Sequence, residues 1–321
     1  MSQVHVLSHP DCLAHETGLG HPETPERLRR VLDALRELPD EQCVVHDSAP
    51  LPPEDDILGT LSWIHDSAYL DRVRDACAIA PTTVDGNDCA VSPGSWRALT
   101  AAAGLCLQGA LDLASGRFVR AFIAARPPSH HAERRRARGY CFFNGTALAA
   151  DTLARAGGSS VLVVDFDAHH GNGTQLHFWE RGDVGYVSVH EHPAFPGSGG
   201  ADEIGSGKGR GATRNVPLAS GADDDVWATA LENALEEVGS RLRPACLVVS
   251  AGFSAHTADP ISGMQVTEDG FRRMTKAIVQ ASEAWSHGMV LSVLEGGFDV
   301  RSLAASSAAH VCELARESSV N

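Results

Sequence analysis

Residues 161–174 read Val-Leu-Val-Val-Asp-Phe-Asp-Ala-His-His-Gly-Asn-Gly-Thr. The four apolar residues Val161 to Val164 predict a short buried strand. Asp165, Asp167 and His169 follow at spacing two, so an extended backbone projects all three to one side. Two carboxylates and an imidazole at the mouth of a strand are poor core material. Burying ionised carboxylates without a partner is very costly, and a divalent metal is the usual compensation. N-capping aspartates in a loop are the competing explanation. Capping accounts for one Asp but not for the whole D-x-D-x-H-H pattern.

The same grammar recurs on either side of this stretch. Short β-branched runs at 185–189, 245–250 and 289–294 predict further strands. Helical patterns lie at 25–38, 95–115, 143–156, 223–241, 267–285 and 301–317. Thr24, followed by Pro25, and Thr267, followed by Glu268 and Asp269, are N-cap candidates. Strands alternating with helices indicate an α/β fold with a mostly parallel central sheet covered by helices on both faces. No repeat, low-complexity segment or proline-rich linker interrupts the chain, so residues 1–321 are expected to form a single domain. In such folds ligands sit outside the carboxyl ends of the strands, where this chain concentrates Gly, His and Asp.

Charge narrows the classes of partner. With 26 Lys+Arg against 41 Asp+Glu the net charge is −15, which argues against nucleic acid and anionic membranes and favours cations. The eight cysteines contain no C-x-x-C pair and read as buried reduced thiols. The N-terminus lacks a signal-peptide pattern and no apolar run reaches membrane-span length, so a cytoplasmic location is expected.

Three further constellations carry chemistry-bearing residues. Arg126-Pro-Pro-Ser-His-His131 places two adjacent histidines behind a Pro-Pro turn, suited to acid/base work or metal binding, and Gly139-Tyr-Cys-Phe-Phe-Asn144 follows. A histidine pair alone is weak evidence. Ala251-Gly-Phe-Ser-Ala-His256, with Asp259 beyond it, and Leu294-Glu-Gly-Gly-Phe-Asp299 both follow predicted strands and use glycine to turn next to a site. The glycine-rich stretches 196–200 and 205–211 lack the context of a phosphate-binding loop and read as ordinary loops.

In order and spacing these segments resemble the histone deacetylase superfamily, specifically bacterial class II-like members and their acetylpolyamine amidohydrolase relatives. The resemblance starts at His21-Pro-Glu-Thr-Pro-Glu-Arg27, includes Phe195-Pro-Gly-Ser-Gly199, Asn215-Val-Pro-Leu218 and Asp259-Pro260, and ends at Glu295-Gly-Gly-Phe298, covering nearly the whole chain. It implies the arginase/deacetylase fold and hydrolysis of an N-acyl amide, typically acetyl-lysine, by a zinc-bound water. It further implies that Asp167 and His169 are zinc ligands, that His130 and His131 are the catalytic pair, and that Asp165 and Ser188 belong to a structural potassium site. Tyr140 and Phe195 would line the acyl-lysine channel.

Two positions depart from the family pattern. The third zinc ligand, an aspartate, is replaced by Ser254, and the catalytic tyrosine by Phe298; Ser129 and Gly145 are lesser differences. A neutral hydroxyl in place of a carboxylate weakens zinc by more than the roughly 10–100-fold typical of residues behind the ligands. Phe298 offers no hydrogen bond, and losing one oxyanion donor costs on the order of 10²–10³ in kcat. His256 and Asp259 are not evident replacements. Ile261 stands where polyamine-specific relatives carry an acidic residue, which favours acyl-lysine or another small acyl amide as ligand. The resemblance therefore leaves two readings: a zinc-dependent deacylase of impaired or altered activity, and a non-catalytic member that binds an acylated ligand or a partner. Manganese ureohydrolases sharing the fold are disfavoured because their second aspartate-rich metal cluster is missing.

Overall fold

The computed structural model describes residues 2–86 and 88–317. In chain order the strands are β1 (Val4–Leu7), β2 (Cys43–His46), β3 (Thr82–Thr83), β4 (Ala90–Val91), β5 (Arg120–Ile123), β6 (Val161–Asp165), β7 (Val184–Glu191), β8 (Thr213–Leu218), β9 (Cys246–Ala251) and β10 (Val290–Leu294). Eight of them form one sheet in the order β2-β1-β5-β10-β9-β6-β7-β8, and every neighbouring pair is parallel. β3 and β4 form a separate antiparallel pair. The four central strands are buried at every residue; β6, β9 and β10 therefore read as nearly continuous apolar runs rather than alternating ones, while β5 opens on Arg120.

The helices are α1 (Pro25–Arg36), α2 (Glu54–Ile64), α3 (Ser67–Ala78), α4 (Ser95–Ala114), α5 (Gly145–Gly157), α6 (Asn172–Phe178), α7 (Asp224–Leu242), α8 (Glu268–Trp285) and α9 (Val300–Leu314). They form two layers. α1 packs on α9, α9 on α8 and α8 on α7, while α2, α4 and α5 pack together, with α5 and α7 both touching β6 but from separate layers. The expected two-sided α/β architecture is what the chain adopts.

The local expectations differ in instructive places. Thr267 caps α8 by accepting from Asp269 N, and Asn144 caps α5 by accepting from Ala147 N. Thr24 occupies the cap position of α1, but its side chain makes no capping hydrogen bond; Pro25 at the first helical position fixes the start instead. The last helix ends at Leu314 rather than 317. Strands β1 and β5 and helices α2 and α3 carry too little periodic signal to be read in advance. β5 begins on Arg120, a charge that a central strand holds because the guanidinium reaches Glu283 at 3.1 Å and the Gly288 carbonyl at 3.3 Å. The cysteines are free thiols, seven buried and Cys312 half-buried. Among the described residues no helix is long and apolar enough to cross a membrane.

The loops at the carboxyl ends of the adjacent central strands β5, β10, β9 and β6 span 124–144, 295–299, 252–267 and 166–171. Parallel pairing therefore delivers all four motif-bearing loops to one edge of the sheet. The frame below them is tightly packed. A Cβ on Gly239 in α7 would lie 2.0 Å from the Trp285 ring of α8. Replacing Gly239 by Ala gains up to about 1 kcal/mol of helix propensity, but overpacking costs typically about 1–3 kcal/mol. Gly239→Ala should therefore lower the urea midpoint, and a raised midpoint would show that α7 and α8 are not in such close contact.

Candidate active site

A cleft of about 300 Å³ opens at this edge, lined among others by His130, His131, Tyr140, Asp167, His169, Phe195, Ile261 and Phe298. Eight of the eleven residues singled out from sequence thus face one cavity. Ser254 lies fully buried beneath it, and Asp165 and Ser188 are paired in register on β6 and β7 behind it.

The histidine pair is held from two sides. His130 Nδ1 lies 3.0 Å from Asp165 Oδ2, which also accepts from the Tyr186 hydroxyl at 3.1 Å. His131 Nδ1 lies 2.9 Å from Asn172 Oδ1, and Asn172 Nδ2 donates to Glu133 at 2.8 Å. Since that amide presents its oxygen to the ring, His131 Nδ1 carries the proton and Nε2 is left as an acceptor. Burial alone would lower both imidazoles. At His130 the Asp165 and Asp167 carboxylates overcome it and raise the pKa, whereas at His131 burial and the neighbouring His130 charge both push it well down. Two adjacent histidines are therefore driven towards opposite protonation states.

Asp167 is the most heavily engaged group in the cleft. Its Oδ1 accepts from His169 N at 2.9 Å and from the Ser254 hydroxyl at 2.7 Å, and lies 3.2 Å from His169 Nδ1. Its Oδ2 accepts from Gly296 N at 2.9 Å. The backbone comes so close that a Cβ at Gly252 would be 1.7 Å, and one at Gly296 2.5 Å, from Oδ2. Glycine at these two positions is a consequence of that approach.

A catalytic zinc site takes three protein ligands of imidazole, thiolate or carboxylate type and one open position. Asp167 and His169 supply two such groups; the third place holds the Ser254 hydroxyl, which donates its proton to the carboxylate. Among the described residues no three His, Cys, Asp or Glu side chains group as a metal site. The residues present therefore do not fit the expected zinc centre. His256 and Asp259 do not repair it. His256 Nδ1 accepts from Ala258 N and its Nε2 lies 3.5 Å from Glu268, while Asp259 braces the loops by accepting from Phe298 N at 2.6 Å and Ile261 N at 3.1 Å. The potassium expectation gains no support either: both Asp165 oxygens meet protein donors, and the Ser188 hydroxyl lies 2.9 Å from His190 Nδ1.

Aromatic rings form the walls. Phe195 stands edge-on to His131 with centroids 4.9 Å apart, and Tyr140 edge-on to Phe298 at 5.6 Å. A Cβ at Gly139 would lie 2.5 Å from His131, so only glycine lets the chain pass there, and Tyr140 itself has φ 65°. Phe298 brings no hydroxyl to the cavity, and the Arg27 guanidinium covers its ring at 4.9 Å.

Several residues that hold the site had no role assigned from sequence. Glu295, fully buried, accepts from Ser129 Oγ at 2.6 Å, Thr146 Oγ1 at 2.9 Å and His130 N at 3.1 Å, fixing the turn before the histidines. Glu23 accepts from Arg126 Nε at 2.8 Å and Arg27 Nη1 at 3.1 Å, and Arg27 Nε donates to the Gly297 carbonyl at 2.6 Å. The available signal was the charge of Glu23, Arg126 and Glu295 directly beside Pro or Gly. Asp88, which lines the cleft and accepts from Gly139 N at 2.6 Å, offered none.

The Glu23 carboxyl gives a test in acid. Burial raises its pKa, but Arg126 and Arg27 outweigh that and hold it at about 2 against an ordinary 4.5. A depressed folded-state pKa contributes stability that is complete above about 4.5 and lost as pH falls towards 2. Glu23→Gln should therefore be less stable at neutral pH and lose less than the parent between pH 4.5 and 2 in urea titrations. Parallel acid limbs for the two proteins would contradict the ion cluster.

The sequence matches the histone deacetylase domain over residues 21–314. It is 36% identical over 281 residues to a histone deacetylase-like amidohydrolase of Pseudomonas aeruginosa, covering 87% of this chain and 73% of that protein. The crystal structure of the HDA15 HD domain superposes with a TM-score of 0.89 at 34% identity, covering 99% of this chain and 89% of that one. An acetylpolyamine aminohydrolase from Burkholderia pseudomallei superposes with a TM-score of 0.84 at 29% identity, covering 98% of each chain. With the fold, the motif order and the histidine-lined cleft all in agreement, this chain belongs to the histone deacetylase family of amide hydrolases.

Proposed function

We propose that this chain binds an N-acyl amine, an acyl-lysine or another small acyl amide, and hydrolyses it far more slowly than the zinc-dependent route of its family allows. The observation that carries this reading is the 2.7 Å hydrogen bond from the Ser254 hydroxyl to Asp167. It fills the place of a metal-ligating carboxylate with a neutral group and occupies an oxygen of the carboxylate that remains.

The rest of the cleft suits the ligand better than the reaction. Tyr140, Phe195 and Phe298 present ring faces and edges to an aliphatic stem, as an acyl-lysine side chain requires. Ile261 at the rim gives no partner to the second ammonium of a polyamine, although relatives are named for acetylpolyamines. His131 keeps an unprotonated nitrogen to receive a proton. An electrophile to polarise the acyl carbonyl and a hydroxyl donor at position 298 are what the site lacks, so the tetrahedral oxyanion goes without its main stabilisation.

The test compares the parent with Ser254→Asp/Phe298→Tyr on an acetyl-lysine peptide. The parent should bind the peptide, seen by calorimetry, with little turnover. The double replacement should gain at least about 10³ in kcat/KM when supplied with zinc. Rapid hydrolysis by the parent, or no binding by either protein, would overturn the proposal.

A further inference from the structure

The segment Glu133-Arg-Arg-Arg-Ala-Arg138 sets four arginines side by side in a chain whose net charge is −15. It lies beside the active-site cleft, and a second cleft of about 380 Å³ opens between its turn and helix α6, lined by Glu133, Arg134, Arg135, Leu176 and His177. Arg134 and Arg135 both direct Nε at a single carboxylate, one to each oxygen of Asp66. That carboxylate aligns two guanidinium groups and neutralises one of them. The outer nitrogens remain: among the described residues neither pair of Nη amines meets a carboxylate or carbonyl, and the side chains are 58% and 78% exposed. Arg136 is exposed and has no recorded side-chain partner among the described residues. Of the four arginines, only Arg134 and Arg135 line the cleft, paired with Asp66 and next to Glu133; Arg136 adds a positive charge beside them, while Arg138 Nη1 lies 3.6 Å from Glu133 and its guanidinium covers the Phe195 ring.

We propose that this cleft is an anion-binding site for a phosphoryl group, either free phosphate or the phosphate of a small metabolite. Two preoriented guanidinium forks offer more donors than a carboxylate with two oxygens can use, whereas a tetrahedral dianion matches the number of donors left over. The cleft has a floor as well as a charge. Leu176, 54% exposed, supplies apolar surface against which the non-phosphate part of a metabolite would lie. The wall also reaches the first site, because the Glu133 carboxylate that lines the cleft holds Asn172 Nδ2 at 2.8 Å, and Asn172 faces His131.

The proposal is independent of how fast, or whether, the first site hydrolyses an amide, since its readout is binding alone. Inorganic phosphate is titrated into the full chain by calorimetry at fixed ionic strength, with chloride as the control anion. Saturable binding of one phosphate is expected, weakened at least about tenfold in Arg134→Ala/Arg135→Ala. Arg134→Lys/Arg135→Lys, which keeps the charge and removes the forks, should fall between the two. Because these side chains are exposed, unchanged unfolding midpoints without ligand will show that the variants fold. Equal affinity for phosphate and glucose 6-phosphate supports free phosphate, and tighter binding of the sugar phosphate supports a metabolite. No saturable binding, binding unchanged in the Ala/Ala variant, or a phosphate-free acidic peptide binding where phosphate does not, would each overturn it.

Discussion

One carboxylate, Asp167, ties three loops to one point. Its own loop donates through His169 N, the loop after β9 through Ser254 Oγ, and the loop after β10 through Gly296 N. A carboxylate buried at this depth survives as an anion only if donors surround it, so the loops have little freedom to be anywhere else. Gly252 and Gly296 follow from this constraint, since any side chain at either position would occupy the space of the Asp167 oxygens. One of the three donors at this carboxylate is a neutral side-chain hydroxyl, that of Ser254.

Behind that point lies a layer of buried ions outside the cleft lining. Glu23, Arg27 and Arg126 are wholly buried, and together with Glu295 they connect the start of α1, the turn before the histidines and the Gly-Gly-Phe loop. Isolated buried charges would be prohibitively costly; here each carboxylate faces guanidinium or several hydrogen-bond donors. Such a layer specifies loop positions through directional bonds that apolar packing cannot supply. The loops around the cleft are therefore fixed by residues other than Ser254 and Phe298, although Phe298 itself forms part of the cleft wall.

Sequence made the central part of this legible for physical reasons. Three strands buried on both faces, β6, β9 and β10, give nearly continuous apolar runs, and the loops after them carry His, Asp and Gly that no core would tolerate. Eight of the eleven residues named from these loops and from the family resemblance line one cleft. What could not be read has equally physical causes. β5 opens on Arg120, whose charge is satisfied by groups about 160 residues away in the chain, Glu283 and Gly288. Glu295 acts wholly, and Glu23 in part through Arg126, by partners that become neighbours only when the sheet is assembled. Asp88 lies in a loop with no periodicity and reaches the cleft through a single backbone amide. Ser254 and Phe298 were visible as residue identities, but that the serine hydroxyl turns towards Asp167 required the fold.

The measurement that bears most directly on this account is zinc binding itself, by competition with a chromophoric chelator, on the parent chain and on Ser254→Asp. Only the carboxylate variant should retain one zinc per chain against the chelator, with the parent weaker by more than about 100-fold. A parent chain that holds stoichiometric zinc as tightly as Ser254→Asp would contradict the central claim that the serine hydroxyl has replaced a metal ligand.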